Sequence, residues 1–117
     1  DYALRRQHDL NVKVVNMSLG GGSGIGVNCD GQNSAMKSAF QSLVARGVSI
    51  FVATGNNGFS DRVSAPACIS NSIAVGATYD AEYAQVSACP SQGAVSPMDI
   101  ACFTNRGRRR TDARGER

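Results

Sequence analysis

The sequence V-S-I-F-V-A-T-G-N-N-G, from Val48 to Gly58, decides the fold class. Its first half is a short apolar run rich in β-branched residues, which is typical of a buried strand. Its second half changes abruptly to small residues, glycine and two adjacent asparagines. Such residues form tight turns, and they also let the backbone come close to a bound ligand. The stretch therefore predicts a buried strand whose carboxyl end carries a turn or a binding loop.

The segments around this stretch predict two more strands and a helix. Residues 12–17 and 72–76 are β-rich runs. Between the first two strands, apolar residues recur on one helical face from residues 33–34, where Asn or Ser can cap the helix, to about residue 46. Gly47 suits the position just after that helix. This order predicts an α/β fold, a three-layer α/β/α arrangement around a parallel sheet.

Two loops of unusual composition follow the first two strands. One is the glycine-dense segment 18–26, and the other is residues 54–58. Because ligands bind at the carboxyl ends of parallel strands, we expect these loops to lie side by side on the ligand face. Residues 2–9 predict the end of a helix, and residues 79–105, which have weak periodicity, predict mostly loop.

The glycine-dense segment does not match a nucleotide-binding motif. The fingerprint G-x-G-x-x-G would need a third glycine at Val27 if it began at Gly22, or at Cys29 if it began at Gly24. No acidic residue stands near position 46, where a ribose ligand is expected, and no G-K-[ST] is present. The sequence therefore argues against nucleotide binding.

The net charge of +3 comes from the end of the chain. Residues 106–117 contain six arginines with Asp112 and Glu116, so the preceding residues sum to −1. This Arg-rich tail has neither interleaved aromatic residues nor a nucleic-acid-reading motif, so no nucleic-acid partner is expected. The apolar runs are too short for a membrane helix. The start at Asp1, with no leader-like segment, is interpreted as the start of a fragment.

Four cysteines in 117 residues indicate an oxidising compartment. No C-x-x-C is present and the only histidine is His8, so no metal site is expected. Four cysteines allow three pairings, and the residues themselves leave all three open. His8 is also the only base available for Ser-His-Asp chemistry, and its predicted place at a helix end favours an ordinary surface residue.

The chain contains four further blocks, which are V-V-N-M-S-L-G-G at 14–21, A-R-G-V-S-I-F-V-A-T-G-N-N-G at 45–58, A-P-A-C and I-A-V-G-A-T at 65–68 and 73–78, and C-F-T-N-R-G at 102–107. In order and spacing, these blocks resemble the subtilisin-like serine proteases, or subtilases, most closely the secreted bacterial enzymes of the subtilisin and proteinase K type. The resemblance implies a subtilisin-like fold, with residues 1–105 forming a partial peptidase domain and residues 106–117 a disordered or out-of-frame tail.

The resemblance implies that these blocks bind a peptide or protein substrate. The strip 18–21 would pair with an extended substrate as an added strand and form one pocket wall. Residues 53–55 would form the facing wall, and Pro66 with Ala67 would close the pocket's base after a cis bond. The residues implied to bind substrate are Ser18, Leu19, Gly20, Gly21, Ala53, Thr54, Gly55 and Ala67.

Asn56 is the residue that the resemblance implies for catalysis. Its side-chain N–H would stabilise the negative oxygen of the tetrahedral intermediate, in what is called the oxyanion hole. In isolation, the same asparagine would be read as a turn residue. Asn57 is interpreted as the plain turn residue.

The sequence departs from the family by lacking its catalytic blocks. The D-[ST]-G, H-G-T and G-T-S segments that carry the Asp, His and Ser triad are absent; they would precede residue 1 and follow residue 107. We therefore expect the isolated chain to be an inactive part of a secreted endopeptidase. The alternative is a non-catalytic peptide-binding module.

The resemblance has three further implications. It pairs Cys29 with Cys68 and Cys89 with Cys102. It permits bound calcium, although no acidic cluster defines a site and no cofactor is assigned. It also implies an extracellular protein that acts as a monomer.

Overall fold

The computed structural model describes residues 2–26 and 28–107, so most of the predicted Arg-rich tail lies outside the described residues. The elements, in chain order, are α1 (Tyr2–Leu10), β1 (Val14–Met17), β2 (Gly21–Gly26), α2 (Ser34–Val44), β3 (Ser49–Ala53), β4 (Val63–Ala65) and β5 (Ile73–Val75).

Three of these strands form the parallel sheet that the sequence predicted. Its order is β1-β3-β5, so β3 is the central strand. Asn16 lies opposite Phe51, and Phe51 lies opposite Ile73. The strand–helix–strand unit is confirmed, and the carboxyl ends of all three strands meet at one edge of the sheet.

The core lies between one face of this sheet and α2. Along β3, Ile50 and Val52 are buried while their neighbours face the other way, as the period of two in a strand requires. Phe40 and Leu43 of α2 are buried in the same cluster, with Ala3 of α1 packed against it. Each such buried side chain stabilises the fold by about 1.5–3 kcal/mol.

The ends of α2 follow the predicted signals in part. Gly47 adopts φ +78°, the left-handed conformation. Its N–H donates to the Val44 carbonyl at 2.9 Å, and the Val48 N–H donates to the Leu43 carbonyl at 3.1 Å. These two hydrogen bonds end the helix, and the chain then turns directly into β3. Asn33 occupies the N-cap position, but its side chain makes no capping hydrogen bond.

The second face of the sheet carries no helix within the described residues. Val14, Ile73 and Val75 on the outer strands are 55%, 48% and 46% exposed. Of the three layers predicted, residues 2–26 and 28–107 therefore supply the sheet and one helical layer. In this part of the chain no helix is long and apolar enough to cross a membrane.

The prediction that residues 18–26 form a loop was wrong for their second part. Gly21–Gly26 is strand β2, which pairs antiparallel with β4 in a separate two-stranded sheet. Glycine has low strand propensity, so local sequence favoured a loop. The strand exists because a segment about 40 residues later in the chain supplies its hydrogen-bond partners, which local propensity does not report.

Residues 79–105 are mostly loop, as predicted, and they form a second small core. Tyr79, Val95 and Ala101 are its buried members. Isolated bridges join Thr78 to Ile100 and Tyr83 to Val95. The segment then returns to the main sheet, so its last residues reach the end of β3.

Candidate functional site

A pocket of about 300 Å³ lies where β1 and β3 end, beside the start of β2. It brings together six of the predicted binding residues with Asn56, Asn57 and a second serine, Ser64. Its lining is Ser18, Leu19, Gly20, Gly21, Ala53, Gly55, Asn56, Asn57 and Ser64. The two segments therefore lie side by side at the carboxyl ends of the strands, as the parallel topology predicted.

Two of the predicted binding residues do not line this pocket. Ala67 faces a separate groove of about 770 Å³ along the β5 side of the sheet. The Thr54 side chain is buried, and its hydroxyl lies 3.2 Å from the Thr104 hydroxyl. Thr54 instead lines that groove and a small cavity of about 220 Å³ next to the pocket. The Ala65–Pro66 peptide bond between the two regions is cis.

The strip on the β2 side of the pocket has little side-chain bulk. Gly20 and Gly21 are both exposed. A Cβ added at Gly21 would meet no heavy atom within 4 Å. The strip therefore presents little side-chain bulk to a chain that lies against it.

The loop that faces this strip, residues 54–59, is tightly held and needs glycine at one point. Gly55 adopts φ +102°, and a Cβ there would lie 2.5 Å from both Asn105 Nδ2 and Ser64 Oγ. The Ser64 N–H donates to the Thr54 carbonyl at 2.9 Å, and the Gly58 N–H donates to the Phe103 carbonyl at 2.7 Å. The 54–59 loop is thus anchored from β4 and from the returning segment near residue 105.

Asn56 stands at the rim of the pocket with its donors free. Its side chain is exposed and makes no hydrogen bond with any described residue. It also lines the neighbouring cavity of about 220 Å³, together with Asn16 and Ser18. A free amide N–H between two pockets can donate to a ligand oxygen in either of them.

Asn57 is held differently from Asn56. Its backbone N–H donates to Asn105 Oδ1 at 2.9 Å, and its side-chain oxygen accepts from Asn105 Nδ2 at 3.2 Å. Sequence reasoning placed Asn105 in a matching block but gave it no role. No local signal in the sequence marks Asn105, because its burial, at 1% exposure, and its contacts come from the fold.

Two disulfides tie the described residues together. Cys29 and Cys68 are bonded, with Cα atoms 5.3 Å apart, and Cys89 and Cys102 are bonded, with Cα atoms 6.0 Å apart. The Cys29 N–H also donates to the Cys68 carbonyl at 3.0 Å. The first bond connects the segment after β2 to the segment after β4, so it ties together the two chain segments that leave the small sheet.

A charged cluster lies beside this first disulfide. The Asp30 carboxylate accepts hydrogen bonds from the Ser70 backbone N–H at 2.9 Å and from the Ser70 hydroxyl at 2.8 Å. The Lys37 ammonium lies 2.9 Å from the same carboxylate. These bonds, led by that of the Ser70 backbone, lower the pKa of Asp30 from 3.8 to about 2.

The described residues contain no group of three or more His, Cys, Asp or Glu side chains that could hold a metal ion. His8 lies within α1. The calcium expectation therefore stays a prediction.

Comparison with known proteins places this geometry in a family. The model of the Subtilase family, a family of peptidases, matches residues 2–113. The chain belongs to the subtilase family. An extracellular protease of Xanthomonas campestris pv. campestris is 41% identical to this subtilase over 69 residues, which are 59% of the chain and 11% of that protein.

Solved structures agree on the fold. The S41 psychrophilic protease matches 94% of this subtilase and 30% of its own chain, with a TM-score of 0.63 and 28% identity. The prenylagaramide maturation protease PagA matches 91% of the subtilase and 31% of its own chain, with a TM-score of 0.59 and 23% identity, and supports the fold alone. The subtilisin-like α/β fold is confirmed as a partial domain, since the chain spans less than a third of either structure.

Proposed function

We propose that this chain is the substrate-binding part of a secreted serine endopeptidase, in which the strip 18–21 and the 54–59 loop bind an extended peptide. The observation that carries the proposal is the pocket of about 300 Å³ between these two segments, with Asn56 at its rim. Family membership supports peptide hydrolysis as the reaction of the whole protein.

The substrate backbone pairs with the strip as an added strand. Gly20 and Gly21 carry no side chain that would keep two backbones apart. The side chain of the bound residue then enters the pocket between the strip and Ala53. Because this wall is made of small residues, the pocket accepts a range of apolar side chains.

Asn56 donates a hydrogen bond to the carbonyl oxygen of the bond that is cleaved. Attack on that carbonyl turns its oxygen into an anion, and a donor already fixed beside it stabilises the charge without reorganising. Its free and exposed side chain supports this role. In a subtilisin, removing one such donor lowers the rate by about 10²–10³.

The chain binds substrate without cleaving it. The sequence contains none of the family's three triad blocks, so the nucleophile and its base must come from elsewhere in a complete enzyme. Two disulfides and a relative named as an extracellular protease support secretion. We further propose that the chain is monomeric, with neither nucleic acid nor membrane as a partner. Calcium binding, which the family resemblance permits, stays a prediction.

The test is a titration of the purified chain with a fluorescently labelled, extended apolar peptide, followed by a casein hydrolysis assay. We expect saturable binding and no cleavage. Gly21→Val places a branched side chain on the strip in open space and should abolish binding. Gly31→Val, also in open space but outside the pocket lining, is the matched control and should bind as the unsubstituted chain does.

Two results would contradict the proposal. Equal binding by both glycine variants would mean that the peptide does not lie along the strip. Cleavage of casein that an inhibitor of serine proteases blocks would mean that the chain assembles a catalytic centre of its own. A reading frame that lacks H-G-T upstream and G-T-S-M downstream would favour the alternative, a non-catalytic peptide-binding module.

A further inference from the structure

We propose that Asn105 is a positioning residue that fixes the oxyanion donor Asn56 by holding both of its neighbours in the chain. The inference rests on the proposed role of Asn56. It concerns a residue 49 positions later in the sequence, which does not line the pocket that holds Asn56.

The Asn105 side chain uses both its oxygen and its nitrogen on the 54–59 loop. Its Oδ1 accepts from the backbone N–H groups of Asn57 at 2.9 Å and Phe59 at 3.2 Å. Its Nδ2 lies 3.0 Å from the Thr54 carbonyl, 3.1 Å from Ser64 Oγ and 3.2 Å from Asn57 Oδ1. A carboxamide supplies acceptors and donors at once, which neither a carboxylate nor a hydroxyl of similar size provides in this geometry.

The backbone of Asn105 completes the attachment. Its N–H donates to the Gly55 carbonyl at 3.0 Å. Asn56 therefore sits between a carbonyl and an N–H that are both bonded to Asn105. Because the Asn56 side chain has no partner of its own among the described residues, its direction depends on these two fixed peptide groups.

Asn105 makes its hydrogen bonds to the 54–59 loop from a buried position, which limits the movement of the loop. Asn105 is 1% exposed, and the adjacent Thr104 is 3% exposed and accepts from the Ala77 N–H at 3.0 Å. Hydrogen bonds away from water hold their geometry, and leaving such groups unpaired is costly. An oxyanion donor is effective only if it is held in place before the charge develops, which is what a buried anchor supplies.

The test uses two extended apolar peptides that differ only at the carboxyl end, one a carboxylate and the other a carboxamide. A terminal carboxylate puts an anionic oxygen where the cleaved carbonyl would be. With Asn56 as donor, the chain should bind the carboxylate peptide with a dissociation constant about tenfold lower. This ratio corresponds to the free energy of one hydrogen bond to a charged group. Asn56→Ala should abolish this preference, and Asn105→Ala should lower it to near unity while Asn56 is still present.

Gln92→Ala is the matched control. Gln92 accepts from the Tyr79 hydroxyl at 3.0 Å and donates to the Ile100 carbonyl at 3.0 Å, so its loss removes side-chain hydrogen bonds without touching the 54–59 loop. We expect this variant to keep the carboxylate preference.

Hydrogen exchange supplies a second, independent readout. The amides of Asn57 and Phe59 should lose protection in Asn105→Ala and keep it in Gln92→Ala. The Val52 amide in β3 reports whether each variant is folded. Protected Asn57 and Phe59 amides in a folded Asn105→Ala chain would overturn the inference.

The outcomes separate the two proposals. No carboxylate preference in the unsubstituted chain overturns the role of Asn56, and this inference with it. A preference that Asn56→Ala abolishes and Asn105→Ala leaves intact overturns the positioning role alone.

Discussion

Removing the Cys29–Cys68 disulfide should destabilise the chain more than removing Cys89–Cys102, by a margin that the structure allows us to calculate. The first bond spans 39 residues of sequence and the second spans 13. A disulfide stabilises mainly by limiting the unfolded chain, and the effect grows with the logarithm of loop length. On this basis the two bonds contribute about 3.9 and about 2.9 kcal/mol at 25 °C.

The difference of about 1 kcal/mol between the two contributions depends on fewer assumptions than either contribution alone, because the constant part of the loop entropy cancels. Packing acts in the same direction. Cys29 and Cys68 are both in the main core, at 2% and 1% exposure, whereas Cys102 is only partly buried. The expected margin is therefore at least about 1 kcal/mol.

The assay is urea unfolding of two double variants, Cys29→Ala with Cys68→Ala and Cys89→Ala with Cys102→Ala, without reductant. The chain contains no tryptophan, so far-UV circular dichroism is the probe. Equal midpoints, or a lower midpoint for the Cys89 and Cys102 variant, would refute the loop-entropy argument. Such a result would mean that the unfolded chain is already restricted near residues 29 and 68.

Two further predictions concern Gly55 and Asp30. Gly55→Ala should lower the unfolding free energy by at least about 1–3 kcal/mol, because φ is +102° and the new Cβ would lie 2.5 Å from side-chain atoms of Asn105 and Ser64. The control is Gly31→Ala, whose new Cβ meets no heavy atom within 4 Å. Equal urea midpoints for the two variants would contradict the reasoning. Asp30 has its pKa lowered to about 2 in the folded chain, so its stabilisation is full above the unfolded value of 3.8 and is lost as the pH falls towards 2. The stability difference between the unsubstituted chain and Asp30→Asn should therefore shrink over that interval; a difference that does not change with pH would show that the Asp30 contacts do not matter in solution.

The three strands of the parallel sheet and the helix α2 could be predicted because they depend on local patterns. Ile50 and Val52 alternate with less buried neighbours, and Phe40 and Leu43 share a helical face. Gly47 marks the end of α2 by its backbone freedom. Each signal lies within a few residues of the structure that it predicts, so one sequence is enough to read it.

The glycine-rich strand β2 could not be predicted in this way. Its residues have little strand propensity, and it forms only where β4 runs beside it. The direction of the Thr54 side chain has a similar cause. Its hydroxyl turns away from the pocket because Thr104, 50 residues later, offers a partner on the other side.

The sequence by itself determined the family, the parallel sheet and the two loops that meet at its edge, because motif order and hydrophobic period are properties of the chain. Only the tertiary structure decided how Asn56 is held. Asn105 comes from a separate loop-rich segment, and nothing in its neighbourhood in sequence indicates that its side chain bonds to the backbone of the 54–59 loop, between β3 and β4. A hydrogen bond between distant segments depends on how the chain folds back, and that is settled by the packing of the whole domain.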